Sequence, residues 1–100
     1  MMTPHPHQLP IPPTAASDPD ARELLRMWGA RGAQHVSLAS EIWDDPAAWG
    51  IALVDLARHV ARAFAQQGRG SVEQALVQLR QGFDAEWQAP TDVPTGALQE

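Results

Sequence analysis

The stretch DDPAAWGIALVDLARHVARAFAQQ, residues 44–67, decides the fold. Its Asp-Asp-Pro opening is typical of a helix start, because an Asp side chain caps free N–H groups and proline suits the first helical turn. Gly68 and Gly70 follow and favour a helix end. The stretch therefore predicts one long amphipathic helix, Pro46–Gln67. At about 100° per residue its large apolar side chains share one face; they are Trp49, Leu53, Leu56, Val60 and Phe64.

A second helix is predicted directly downstream. Ser71 and Gln74 have the spacing of a capping box, in which each side chain satisfies a backbone N–H at the helix start. This helix should end before Pro90, because the residue before a proline avoids helical geometry. Since only Gly-Arg-Gly separates the two helices, we expect an antiparallel pair with facing apolar stripes. The second stripe consists of Val72, Leu76, Leu79, Phe83 and Trp87.

A third helix is predicted upstream of these two. Residues Ser17–Asp20 (Ser-Asp-Pro-Asp) offer a capping side chain, a proline for the first helical position and an acid for the first turn. Gly32 is the expected C-terminal stop. Between them, apolar residues recur at helical spacing, namely Ala21, Leu24, Leu25 and Trp28. This helix would close the core over the other two.

Residues Ala33–Ser40 change to a period of two, which is typical of a half-buried strand. A lone strand cannot satisfy its own backbone, so it needs a partner. Two candidates are open: the segment Leu9–Ile11, or the same strand in a second subunit. The predicted fold class is mainly α with one short strand (α+β), three helices and a proline-rich N-terminal arm.

The domain organisation follows from composition along the chain. Residues 1–16 contain five prolines and should form an extended, partly disordered arm. Residues 17–89 should form a single globular helical domain, and residues 90–100 a C-terminal tail. One hundred residues leave no room for a second domain.

Composition excludes several classes of function. The net charge of −5 argues against binding nucleic acid, which depends on neutralising phosphates. No continuous apolar run is long enough to span a membrane, so no membrane association is expected. The chain has no cysteine, which rules out disulfides, thiol catalysis and the usual zinc and iron–sulfur frameworks, and fits the cytoplasm. We expect no cofactor and no bound metal.

Several stretches resemble a small bacterial family. They are Glu23–Trp28, Gln34–Leu38, Trp43–Gly50, Leu53–His59 and Gly82–Trp87. Together they resemble the domain of unknown function 5076, and the resemblance covers nearly the whole chain, from about Leu9 to Pro94. It implies a small bacterial protein, and it carries no assigned activity, cofactor or catalytic residue.

The polar side of the long helix holds the candidate ligand-binding residues. Asp55 and His59 are four residues apart, so an ion pair or hydrogen bond along the helix is easy. Arg58 and Arg62 flank them. An Asp that orients a His occurs in many catalytic and metal sites, but no nucleophile accompanies this pair, and no residue is predicted to be catalytic. A solvated or dimer-facing surface is the favoured interpretation, and a ligand site is the alternative.

His35, which lies on the predicted strand, is a further candidate ligand-binding residue. If it met His59, the two could bind a divalent metal with a nearby Asp, but two histidines without a local motif are a weak signal. Trp43 lies just before the long helix and is expected to staple its entry, or else to lie exposed at an interface.

The sequence favours a non-catalytic binding or interaction module that acts as a homodimer. The alternative is an enzyme or small-ligand-binding protein that uses Asp55, His59 and Arg62, with His35 as a possible fourth member. The two differ in a visible way. A ligand site would bring these side chains together in a concave pocket, whereas an interaction module would spread them over a surface.

Overall fold

The computed structural model describes residues 4–91. Three helices and a two-stranded antiparallel sheet make the fold α+β, in the order α1 (Pro13–Ala16), β1 (Leu25–Ala30), β2 (Ala33–Leu38), α2 (Pro46–Gln66) and α3 (Val72–Gln88). The short α1 lies in the proline-rich arm. Within the described residues, no helix combines the length and apolarity that crossing a membrane requires.

The predicted helix ending near Gly32 is wrong, because part of that segment is the strand β1. The Asp18 backbone and side chain accept hydrogen bonds from the N–H groups of Ala21 and Asp20, at 3.1 and 2.9 Å, so the Ser17–Asp20 signal closes a turn. Pairing of β1 with β2 satisfies the backbone N–H and C=O groups of both strands. This pairing overrides the weak helical preference of a short apolar repeat.

The turn between the strands explains this outcome. β1 and β2 are joined by two residues only, Arg31 and Gly32, whose φ angles are 52° and 75°. Positive φ at both positions is what a type I′ hairpin turn requires, and its twist matches that of the flanking strands. The resulting register places Ala30 opposite Ala33 and Trp28 opposite His35.

The expected partners of the strand were also wrong. The sequence predicted one short strand paired with Leu9–Ile11 or with a second subunit, whereas β2 pairs with β1 of its own chain. The strand itself lies where the period of two placed it. The sequence does not indicate β1 as its partner, because the apolar residues of that segment recur at helical spacing.

Both long helices begin as the sequence predicts. The Asp45 carboxylate caps α2 by accepting a hydrogen bond from the N–H of Ala47 at 2.9 Å. Trp43 packs edge to face on Trp49, with ring centroids 4.8 Å apart, which is the expected staple at the entry of the helix. At the start of α3, the side chains of Ser71 and Gln74 form the complete capping box.

The helices α2 and α3 pack against each other around two small side chains. Ala61 of α2 is 0% exposed and Ala75 of α3 is 7% exposed, and they are the only buried apolar residues among those described. The larger side chains of the two predicted stripes are less protected. Leu53, Leu56 and Phe83 each remain about half exposed, so the expected core is incomplete within one chain.

The β-hairpin does not close this core. No Cα atom of β1 or β2 lies within 8 Å of a Cα atom of α2 or α3. The radius of gyration is 15.7 Å, against about 13 Å for a compact domain of this length. The hairpin and the end of α3 share a pocket, which residues 29–34 line together with Glu86 and Thr91. Apolar surface is left uncovered on both the hairpin and the helix pair.

The hairpin turn generates a testable prediction. Replacing Gly32 with Ala should destabilise the protein by about 1–2 kcal/mol, because a Cβ disfavours the left-handed conformation. No atom within 4 Å would clash with that Cβ, so the cost is conformational. Replacing Arg31 with Asn should stabilise by about 0.5–1 kcal/mol, since Asn tolerates positive φ. Urea unfolding at fixed protein concentration measures both changes.

Gly29→Ala is the matched control for this experiment. Gly29 lies in β1, does not have positive φ, and also has open space around its Cβ position. Its replacement should be neutral or slightly stabilising, because it reduces the freedom of the unfolded chain. Equal losses for Gly29→Ala and Gly32→Ala would show that the turn conformation does not control the hairpin.

Candidate functional site

The polar face of α2 places its predicted residues in solvent. The Asp55 carboxylate lies 3.8 Å from the guanidinium of Arg58, and both side chains are about 60% exposed (63% and 58%). Asp55 therefore pairs with Arg58, one turn along the helix, and no hydrogen bond joins it to His59. An exposed ion pair of this kind contributes little to stability.

The other candidates on the polar face are not engaged. His59 and Arg62 are exposed. Within residues 4–91 neither forms a hydrogen bond or an ion pair.

His35 belongs to a different part of the molecule. It lies on β2 opposite Trp28, and its Nε2 is 3.2 Å from the carbonyl oxygen of Ala30. The Cα atoms of His35 and His59 are more than 8 Å apart. In the described part of the chain, no three His, Cys, Asp or Glu side chains are placed to share a metal ion.

A groove that the sequence did not predict lies between the N-terminal arm and β1. We call it the arm groove; it has a volume of about 660 Å³. Apolar side chains dominate its walls, and several are well exposed, with Leu9 at 84%, Ile11 at 57% and Met27 at 55%. The imidazole of His5 holds the arm near β1 through an edge contact with Trp28, at 4.9 Å between ring centroids.

One end of the arm groove is charged. Arg26 donates two hydrogen bonds to the carboxylate of Glu23, at 3.0 and 2.6 Å. These bonds hold the pKa of the Glu23 carboxyl below its usual value, and they raise the pKa of Arg26. The neighbouring Arg22 has no ion-pair partner within residues 4–91. The groove thus combines an apolar floor with one uncompensated guanidinium.

A second unpredicted feature is the C-terminal end of α3. Phe83 and Trp87 stack on each other with ring centroids 5.6 Å apart and an interplanar angle of 24°. They are 50% and 77% exposed, and we call them the aromatic end. Asp84 and Glu86 flank them with negative charge. Asp84 accepts hydrogen bonds from Arg80, and Glu86 accepts them from Thr91.

The sequence partly indicates the aromatic end and the arm groove. Trp87 was placed on the apolar stripe of α3, but periodicity alone does not show which end of a stripe a neighbour covers. The sequence offers the segment Leu9–Ile11 only as a candidate strand partner. It does not reveal the arm groove, because β1, the other wall, carries apolar residues at helical spacing.

A β-hairpin followed by a pair of packed helices, with exposed apolar surfaces on both, defines a small α+β chain. The sequence profile of a family described as "Domain of unknown function (DUF5076)" matches residues 8–91. The chain belongs to this family. The resemblance inferred from the sequence is thereby confirmed.

A solved structure is similar to this chain over the full length of both. It is described as the structure of a "putative pyruvate dehydrogenase" from the photosynthetic bacterium Rhodopseudomonas palustrus CGA009. It shares 34% sequence identity with this chain, covers 100% of both chains, and superposes with a TM-score of 0.71. No curated protein matches the chain.

Proposed function

We propose that this protein is a non-catalytic interaction module that acts as a homodimer in the cytoplasm. The observation that carries the proposal is the mismatch between buried and exposed apolar side chains. Only Ala61 and Ala75 are buried among the described residues, while eleven large apolar side chains are exposed. Single exposed apolar residues are ordinary, but a chain without a large buried side chain lacks the main source of folding free energy.

The surface area supports the same proposal. The chain exposes 8767 Å², whereas a compact monomer of its 10.9 kDa mass would expose about 5,600 Å². The excess is about 3,200 Å² for one chain. Obligate dimers bury roughly 2,000–5,000 Å² in total, which is about 1,000–2,500 Å² from each chain. A second copy could therefore cover a large part of this excess.

The arrangement of the helices and the charges fits this role. We infer an antiparallel orientation for α2 and α3, because only five residues connect them. The polar face of α2 then stays in solvent on the outside, and the exposed part of the apolar stripes is available for a partner. The net charge of −5 keeps such a dimer soluble and disfavours nucleic acid as a ligand.

The assembly state tests the proposal directly. Sedimentation equilibrium at micromolar concentration should give about twice the chain mass of 10.9 kDa. A dimer is expected because the uncovered apolar surface loses its contact with water on association. A mass of one chain at tens of micromolar would contradict the proposal.

The alternative function is small-ligand binding or catalysis at Asp55, His59 and Arg62. The observation that favours it is the availability of His59 and Arg62, which are exposed and make no hydrogen bond or ion pair with residues 4–91. A guanidinium beside an imidazole suits a small anion, and Arg binds carboxylates in a bidentate manner. The description of the Rhodopseudomonas structure offers pyruvate as the anion to test.

Proton NMR of the His59 ring during a pyruvate titration tests this alternative. It predicts a saturable shift that disappears in Arg62→Ala and persists in Arg80→Ala, an exposed arginine on the other long helix. His59→Ala should abolish pyruvate binding and change stability by less than about 0.5 kcal/mol, because the residue is exposed. A ring signal that stays constant up to millimolar pyruvate would eliminate pyruvate as the ligand of this face.

A further inference from the structure

We propose that the arm groove of each chain receives the aromatic end of a second copy, so that two identical contacts form across a twofold axis. This inference rests on the proposed homodimer and specifies which surfaces meet. Its basis is that one chain carries both an open apolar groove and an exposed aromatic pair. Leu9, Ile11, Leu25 and Met27 of the groove, and both rings of the aromatic end, are exposed in the single chain.

Size and chemistry match between the two surfaces. The arm groove has about 660 Å³ of space, which lies within the roughly 300–1,000 Å³ typical of pockets that bury compact apolar groups. Its walls include Leu25, Met27 and Trp28. A thioether such as that of Met27 packs well against aromatic rings, and its flexible side chain adapts to their shape.

The aromatic end has the properties of an interface anchor. Trp87 and Phe83 stack on each other, so their rings are already held together before they meet a partner. Binding such a preorganised pair costs little side-chain entropy. Tryptophan at 77% exposure presents a large apolar area to water, and tryptophan is among the residues that most often dominate binding energy at interfaces.

Charge adds a weaker preference. The arm groove carries Arg22, which has no ion-pair partner within residues 4–91, and His7 also lines it. On α3, the Asp84 carboxylate already pairs with Arg80 at 2.9 Å, and Glu86 accepts hydrogen bonds from Thr91. The apolar surfaces therefore carry the proposed contact, and the charged groups contribute orientation.

Within one chain, the Cα atoms of β1 stay more than 8 Å from those of α3. Glu86 lines a pocket together with residues 29–34 of the hairpin, but the lining of the arm groove includes no residue of α3. In a twofold dimer, the aromatic end of each copy occupies the arm groove of the other, so both grooves are filled. No groove or aromatic end is left over that could bind a third copy and start a filament.

Cysteine cross-linking tests this arrangement, because the natural sequence contains no cysteine. The double variant carries Met27→Cys in the arm groove and Asp84→Cys beside the aromatic end. Treatment with a short bifunctional maleimide should convert it to a covalent dimer of twice the chain mass. Linkage within one chain would leave the mass of a monomer on a denaturing gel and would overturn the proposal.

Three controls separate the possible interfaces. Met27→Cys alone and Asp84→Cys alone should each give much less covalent dimer than the double variant, because a reciprocal exchange brings unlike positions together. Met27→Cys with Gln78→Cys, which lies on the opposite side of α3 from the aromatic rings, should give at least about tenfold less covalent dimer. Efficient linkage of either single variant would overturn the proposal, since it would indicate contact between like surfaces.

The outcome is distinguishable from failure of the proposed function. A wild-type protein that is dimeric by sedimentation, with no covalent dimer from the double variant, would overturn this interface and leave the homodimer standing. A monomeric wild type would overturn both. Circular dichroism of each cysteine variant should match that of the wild type. If Asp84→Cys disturbs the fold, Gln88→Cys on the same helix end replaces it, with the same expected covalent dimer.

Discussion

Pairing of β1 with β2 across the Arg31-Gly32 turn is the constraint on which the rest of the structure depends. The hairpin takes residues 25–30 into a sheet. As a third helix, this segment would have lain over α2 and α3. Without it, the only buried side chains of the two helices are alanines, and four stripe residues stay about half exposed or more, namely Leu53, Leu56, Phe83 and Trp87. The sheet in turn has two strands only, and a two-stranded sheet is marginal without a surface to pack on.

Local signals predicted the helical half of the fold well. The bounds of α2 and α3 agree with the sequence to within a residue or two, because the Asp45 cap and the Ser71–Gln74 capping box are satisfied by neighbours in the chain. The hairpin was misassigned because its determinant is not local periodicity. Ala21, Leu24, Leu25 and Trp28 do recur at helical spacing, and only the Arg-Gly turn indicates that a strand partner follows.

The candidate site, too, could be predicted from the sequence only in part. Helical spacing placed Asp55, Arg58, His59 and Arg62 on one polar face, and they are exposed there. Spacing could not reveal that Asp55 would pair with Arg58 and leave His59 unbound, since both lie within reach on the helix. Nor could it reveal the arm groove, whose two walls come from separate segments. Such features depend on tertiary placement, which periodicity does not encode.

The central claim is that one chain cannot complete its own core and that folding and association are coupled. Thermal unfolding followed by circular dichroism at protein concentrations from about 1 to 100 μM tests this most directly. If the native state is an obligate dimer, the midpoint should rise steadily with concentration, because mass action favours the associated state. A midpoint independent of concentration over this range would contradict the claim and would show that the single chain is stable on its own.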